Sequence, residues 1–416
     1  MIDLLNSLLN PDEEPSAPSN RRILRLCAPY DHHLTDLGNA RLFIAQFGQQ
    51  VRYVPSQGWL LFDGIRWRLD DSDQILALAH TSIQSYYDEA RSLTNNDDDL
   101  CKLLLKHAER SESLPRLSAL LTLARTLPGI TVSHTRFDAD PCLLTLLNGT
   151  LDLRTQTLHP HNPEHYITRL IPVAYDPEAR SSLWEAFLAR FTDHNPAFQQ
   201  FLQRAIGYSL SGFNSEGTSF LLTGSGQAAQ QLFLSTLRAL FGDYAFHAPA
   251  LHQKYLTPPL SGARIATIPA HAFLSSYDPA ALATLIEGEP LPIPSSSPSS
   301  PIYQSHAKLW FSAPDLPQFP PALSYLRTRF TILPITLSLS SHEVVQLTQQ
   351  LHDALPAILA WTVQGHTLWS NEGLQPPASV TAACSFYQDE QDELSSFLEF
   401  SCTTGDDSLS ISAHEL

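Results

Sequence analysis

Positive charge is scarce in this chain beside negative charge. It carries 25 Lys and Arg against 42 Asp and Glu, a net charge of −17 over 416 residues. A broad nucleic-acid surface needs clustered Lys and Arg to neutralise phosphates, so this balance argues against one and leaves only a local basic groove. No apolar run reaches the ~18 residues that cross a bilayer. The start has no basic residues and passes from a short Leu-Leu stretch to Asn10-Pro11-Asp12-Glu13-Glu14-Pro15, unlike a secretory signal. A cytoplasmic protein without a membrane partner is therefore expected. The five cysteines, Cys27, Cys101, Cys142, Cys384 and Cys402, form no Cys-x-x-Cys pair. That points to reduced thiols rather than a disulfide or zinc framework. His32-His33 and His159-x-His161 lack a partner at a known ligand spacing, so no metal is expected. What is present is 43% hydrophobic residues, an ordinary share for buried cores, and length for two or three domains.

The most informative stretch is Leu221-Leu222-Thr223-Gly224-Ser225-Gly226-Gln227-Ala228-Ala229-Gln230-Gln231. It has the layout of a phosphate-binding loop. Phe220 to Leu222 reads as a buried strand, Gly224 and Gly226 suit a tight turn, and Leu232 to Leu240 reads as a helix with Phe233, Leu237 and Leu240 on one face. A working loop ends in Gly-Lys-Ser/Thr, whose Lys neutralises β/γ-phosphates and whose hydroxyl helps to hold Mg²⁺. Here Gln230 and Gln231 occupy those places. Glutamine is uncharged and a poor Mg²⁺ ligand, so ordinary ATP hydrolysis is not expected. Ser225 does not sit in a nucleophile elbow, because Thr223 stands where that motif needs glycine.

Along the chain, residues 1–22 read as a disordered leader rich in Pro, Ser, Asn and acid. A helix is expected over Leu37–Phe47, followed by strands at Val51–Val54, Trp59–Phe62 and Ile65–Leu69, the last two joined by the turn signal Asp63-Gly64. Helical patterning runs from Ile75 to about Thr126. Residues 143–153 read as a hairpin turning at Asn148-Gly149, and residues 183–206 as helical with Trp184, Phe187, Phe191, Phe198, Phe201 and Leu202 in the core. Strand and helix signals alternate from 218 to 335, the pattern of a parallel sheet. A helix with Ser341 as its N-cap is expected to bury Val345, Leu347, Leu351, Leu355, Ile358 and Trp361. A last helix is expected near Phe386–Phe400, its Asp389–Glu393 acids forming a solvated face.

Taken together, these segments resemble a family. Thr35-Asp36-Leu37-Gly38-Asn39-Ala40-Arg41, Val51-Arg52-Tyr53-Val54, Trp59 and Asp63-Gly64-x-x-Trp67 come in the order found in phage and plasmid primase–helicases of superfamily 3, of the poxvirus and satellite-phage type. The similarity continues through Asn148–Thr155, Val173–Pro177, Phe201–Gly212, Lys308–Phe311, Ile358–Trp361 and Gly373–Pro377, and so covers residue 34 onward. The resemblance implies an α/β fold: an α+β helicase-associated domain over 23–195, an AAA+-like parallel-sheet core over 196–340, a helical region over 341–385, and the start of a winged-helix-like region over 386–416. It implies a hexameric ring that uses ATP and Mg²⁺ on single-stranded DNA, and a chain trimmed of an upstream primase and a downstream winged helix.

The departures from that family set the functional expectation. Ala229 replaces a glycine where backbone approaches phosphate, and Gln230 and Gln231 replace the Lys and Ser/Thr. The acidic residue expected after the strand Ala263–Ile268 is replaced by Ala270, and the sensor asparagine by a residue near Ala313-Pro314. Arg329 alone keeps the look of an arginine finger, and a surface or salt-bridged arginine is the plainer reading of it. No Lys or Arg lies between Arg264 and Lys308, where the resemblance implies a basic pore hairpin. That interval holds Glu287, Glu289 and the Ser/Pro run Pro290–Pro301. The leading expectation is an ATPase-inactive relative, without bound cofactor and with weak or absent single-stranded DNA binding. It would act as a structural or regulatory subunit in a homo- or hetero-hexamer with helicase homologues, or bound to other replication proteins. Two alternatives remain: an active helicase whose missing cation is supplied by Lys254 or Arg264, and a decaying remnant without function.

Overall fold

The computed structural model describes residues 33–93, 98–247, 262–269, 279–292, 302–314, 316 and 321–389. The chain folds as two compact units. The first comprises Met1–Ala139 with Asn162–Thr168, and the second Asp140–His161 with Arg169–Leu416. The hairpin over 143–153 and the helices over 183–206 belong to the second unit.

The first unit opens with α1 (Asp36–Phe47), which starts at Thr35, whose hydroxyl accepts the Gly38 amide. Such a cap satisfies one of the donors that a helix start leaves unpaired. The strands β1 (Val51–Val54), β2 (Gly58–Phe62) and β3 (Trp67–Leu69) form an antiparallel meander. At the Asp63-Gly64 turn the Asp63 carboxylate accepts the Ile65 and Arg66 amides, and Gly64 takes a φ of 94° that favours glycine. The long helical stretch resolves into α2 (Gln74–Ser92), α3 (Asp98–Ser111) and α4 (Leu114–Ala124). Their apolar stripes close one core with α1 and β1. Inside it the Asn39 carboxamide oxygen accepts from Tyr86 Oη (3.1 Å) and lies 2.7 Å from His107 Nε2, while its nitrogen donates to Ser111 (3.1 Å). This polar knot is internally satisfied, the condition under which burying polar groups is tolerated.

In the second unit β4 (Leu143–Leu146), β5 (Gly149–Asp152) and β6 (Thr157–His159) make a second antiparallel meander. The third strand escapes the sequence pattern because all of its residues are exposed and nothing alternates. The helical region over 183–206 is two helices, α5 (Ser182–Phe191) and α6 (Pro196–Leu210), separated where Asn195 caps α6 ahead of Pro196. Proline is well placed there, since its missing N–H would be unpaired anyway.

The main sheet has five parallel strands in the order β13-β7-β12-β9-β8. They are β7 (Ser219–Thr223), β8 (Ala245–His247), β9 (Ile265–Pro269), β12 (Lys308–Ser312) and β13 (Phe330–Pro334), and a short pair, β10 (Pro290–Pro292) with β11 (Ile302–Gln304), stands apart. All five residues of β7 and of β12 are buried, as in a parallel strand covered on both faces. On one face Phe220 and Trp310 stack at 4.4 Å, and Phe233 of α7 (Gln227–Phe241) lies over Trp310 and against Phe191. On the other, Leu221, Leu309, Phe311 and Ile332 meet α8 (Pro279–Glu287) and Tyr387 of α11 (Ala378–Asp389). Each fully buried aromatic of this kind contributes about 2–3 kcal/mol of transfer free energy.

Two helical expectations change. The helix after the sheet starts at Ser340, not Ser341: its hydroxyl and the Glu343 carboxylate form a reciprocal capping box. It then breaks at Ala354, ahead of Pro356, into α9 (Ser341–Asp353) and α10 (Leu355–Glu372). In α9 Leu351 is the buried residue, whereas Val345, six residues ahead and on another face of the helix, is 74% exposed. The last described helix, α11, begins at Ala378, ahead of the expected Phe386, and residues beyond Asp389 lie outside the described ones. No helix among the described residues is long and apolar enough to cross a membrane.

Candidate functional site

The loop between β7 and α7 lies at the carboxyl ends of the parallel strands. The chain leaves β7 toward β8 on one side, and leaves β12 toward β13 on the other. Adjacent strands whose connections part in opposite directions open a crevice, the usual ligand position in open α/β sheets. The sequence expectation of a strand, a glycine turn and a helix is met here: Thr223-Gly224-Ser225-Gly226 makes the turn, with Gly226 as the first flanking residue of α7.

The loop is held from both sides by chain backbone. The Gly224 amide donates to Pro314 O (3.2 Å), and the Gly226 amide to Ile335 O (3.1 Å). Ile335 donates in turn to Thr223 O (2.8 Å), and the Thr223 hydroxyl reaches Pro314 O (3.4 Å). Glycine is required for two different reasons. Gly224 has a φ of 104°, and a Cβ on Gly226 would lie 2.7 Å from Leu337 O and 3.0 Å from Ile335 O. The segment leaving β13 thus runs directly against the loop.

Both glutamines are hydrogen-bonded within the chain. Gln230, 1% exposed, folds back so that Nε2 donates to Gly224 O at 3.2 Å. Gln231 Nε2 donates to Ser312 Oγ at the end of β12, at 2.8 Å. Ala229 is buried in the α7 core face. These partners were not legible from the motif, which compares residue types at places but says nothing of where an amide finds its acceptor. The amino end of α7, whose first turn carries no side-chain cap, presents its partial positive charge to the loop.

Of the other predicted residues, Pro314 meets the loop through its carbonyl. Ala270 lies outside the described residues, as does Lys254. Arg329 immediately precedes β13, whose first residue pairs with Ser219. It is therefore at the amino ends of the strands, a strand length of about 13 Å from the loop. There it is salt-bridged to Glu287, with both side chains partly exposed. Arg264 is also at the amino ends, ahead of β9, where it is buried and donates to Asp140 O (3.1 Å). An arginine so placed does not replace the loop lysine. Lys308, at the same end, donates to Ser211 O and His306 O over the Tyr208 ring. Burial, with Arg264 nearby, holds its ammonium well below the usual lysine value. Burial and the same two cations push His306 down to about 4, and burial with Lys308 does the same for His366. Among the described residues no group of three or more His, Cys, Asp and Glu could hold a metal ion.

The geometry defines an open parallel α/β protein in which β7 passes through the Gly224–Gly226 turn into α7. Residues 40–193 match the family described as D5 N terminal like. Among solved structures, the chain is similar to an apo A form of the NrS-1 C terminal region, at 8% sequence identity and a TM-score of 0.46, covering 86% of this chain and 77% of that one. A further apo A form of that region is 9% identical with a TM-score of 0.48, covering 84% and 74%. No curated protein matches the chain.

Proposed function

We propose that this chain is a primase–helicase-like replication protein of a phage or plasmid that does not turn over ATP and serves as a structural or regulatory subunit. The amino-terminal match over 40–193 supports the replication reading, and the parallel sheet with its loop at the carboxyl ends supports an AAA+-like core. One observation carries the loss of turnover: in the places of the phosphate-loop Lys and Ser/Thr stand two glutamines whose amides are bonded to Gly224 O and Ser312 Oγ. Neutral amides so held supply neither the charge that stabilises a transferring phosphoryl group nor a good Mg²⁺ ligand.

On this reading the loop is a joint that ties the ends of β7, β12 and β13 together, and the role passes to surfaces that meet other replication subunits. Hydrolysis by the purified chain, with Mg²⁺ and with or without single-stranded DNA, tests it beside the Gln230→Lys, Gln231→Ser double variant. No turnover in the parent agrees with the proposal; DNA-stimulated turnover in the parent refutes it.

A further inference from the structure

The geometry points to an oxyanion site in the first unit, formed by Arg52 and Arg136 and held in the isolated chain by Glu164, that takes a phosphate group from outside. The segment Asn162–Thr168 belongs to this unit. Asn162 caps the turn Pro163–His165 by accepting the Glu164 amide at 2.9 Å. Tyr166 follows at φ 52°, ψ 39°, a left-handed conformation that is costly for a bulky side chain. The strained turn places Tyr166 parallel to Trp67, with 6.1 Å between ring centroids.

Those rings orient two guanidinium groups. Arg52, 6% exposed, lies 5.1 Å from the Trp67 centroid and 5.6 Å from that of Tyr166. Its Nε donates to Tyr166 Oη (3.2 Å), one terminal nitrogen to Gly48 O and Val51 O, and the other to Glu164 Oε1 (3.0 Å). Arg136 is stacked 4.2 Å over the Tyr166 ring, with its side chain 56% exposed. Its guanidinium makes no hydrogen bond to a described residue, and its nearest anion is Glu164 Oε2 at 3.9 Å, an ion pair too long to be a hydrogen bond.

One carboxylate therefore spans two arginines, an oxygen toward each, with one positive charge left over. Planar guanidinium forks match phosphate at least as well as carboxylate, and aromatic stacking pre-organises them. Glu164 is 58% exposed and can leave into water at little cost. In a chain of net charge −17 this is a place where a phosphate oxygen meets two fixed cations. The group could belong to free phosphate or to a nucleic-acid strand.

The full-length chain is titrated with inorganic phosphate, followed by phosphorus NMR, and separately with a fluorescent single-stranded oligonucleotide, followed by anisotropy. Parent, Glu164→Gln and Arg136→Ala proteins are compared. Removing the competing carboxylate is expected to tighten phosphate binding about tenfold, and removing Arg136 to weaken it about tenfold, the size of one charge-assisted hydrogen bond. Thermal unfolding without phosphate, unchanged in Arg136→Ala, separates lost binding from lost folding. The same order with the oligonucleotide, reversed by free phosphate, assigns the group to a nucleic acid; phosphate binding alone assigns it to a free phosphate. Equal affinity in all three proteins, or no binding of either probe by Glu164→Gln, overturns the site.

Discussion

Replacing Gly226 with alanine tests how closely the chain closes on the loop. Three effects compete. Alanine tolerates the φ of −81° at this position and restricts the unfolded chain, a gain of about 0.4–1 kcal/mol. Alanine is a worse N-cap than glycine by roughly the same amount, so these two nearly cancel. The third decides the outcome. The new Cβ would stand 2.7 Å from Leu337 O, where ordinary contact begins at 3.4 Å, so backbone must move by about 0.7 Å. Leu337 O belongs to main chain and cannot swing aside as a side chain would. Overpacking of this kind costs about 1–3 kcal/mol, and a net loss of about 2 kcal/mol is expected. Gly224→Ala adds left-handed strain of about 1–2 kcal/mol to a 2.8 Å approach to Ile335 O and is expected to cost more. Urea unfolding followed by tryptophan fluorescence measures both. If Gly226→Ala is as stable as the parent, the segment leaving β13 is not seated on the loop and the account of a closed joint fails.

Further expectations rest on other contacts. His306 and His366 have folded-state values of about 4 against 6.5 when unfolded, so the unfolded chain binds more protons between those values. Stability is then full above pH 6.5 and falls as pH drops toward 4, by up to about 3 kcal/mol for each histidine; a urea series across that window should show the decline. Asn39→Ala strips partners from Tyr86, His107 and Ser111 in the first core and is expected to cost about 2–3 kcal/mol in the same assay, whereas a surface-like loss below 0.5 kcal/mol would contradict that knot. Arg329→Ala breaks a partly exposed ion pair with Glu287 and should change stability by no more than about 1 kcal/mol in thermal unfolding.

Local chemistry made much of the fold legible. Asp63-Gly64 announces its turn through a side chain that reaches its own backbone, and β7 and α7 announce themselves through an unbroken buried run followed by a helical stripe. What stayed hidden depends on distant partners. Val345 is apolar and lies in a helix, yet it stands off the face that buries Leu351 and is exposed. β6 has no buried residue and so leaves no pattern. At the loop, Gln230 and Gln231 were readable as losses of charge. Gln230 finds Gly224 O through the shape of the turn, and Gln231 reaches Ser312 Oγ only when β12 lies beside β7. Tyr166 in a left-handed turn is equally invisible in sequence, because that conformation is imposed by the surrounding structure.

On the proposed function the loop between β7 and α7 holds no nucleotide. Calorimetric titration of the purified chain with ATP and Mg²⁺ tests it most directly. The account predicts no saturable heat at millimolar nucleotide. Saturable ATP binding that is lost in Gly226→Ala, with that variant still folded, would contradict it, because the loop would then be holding nucleotide.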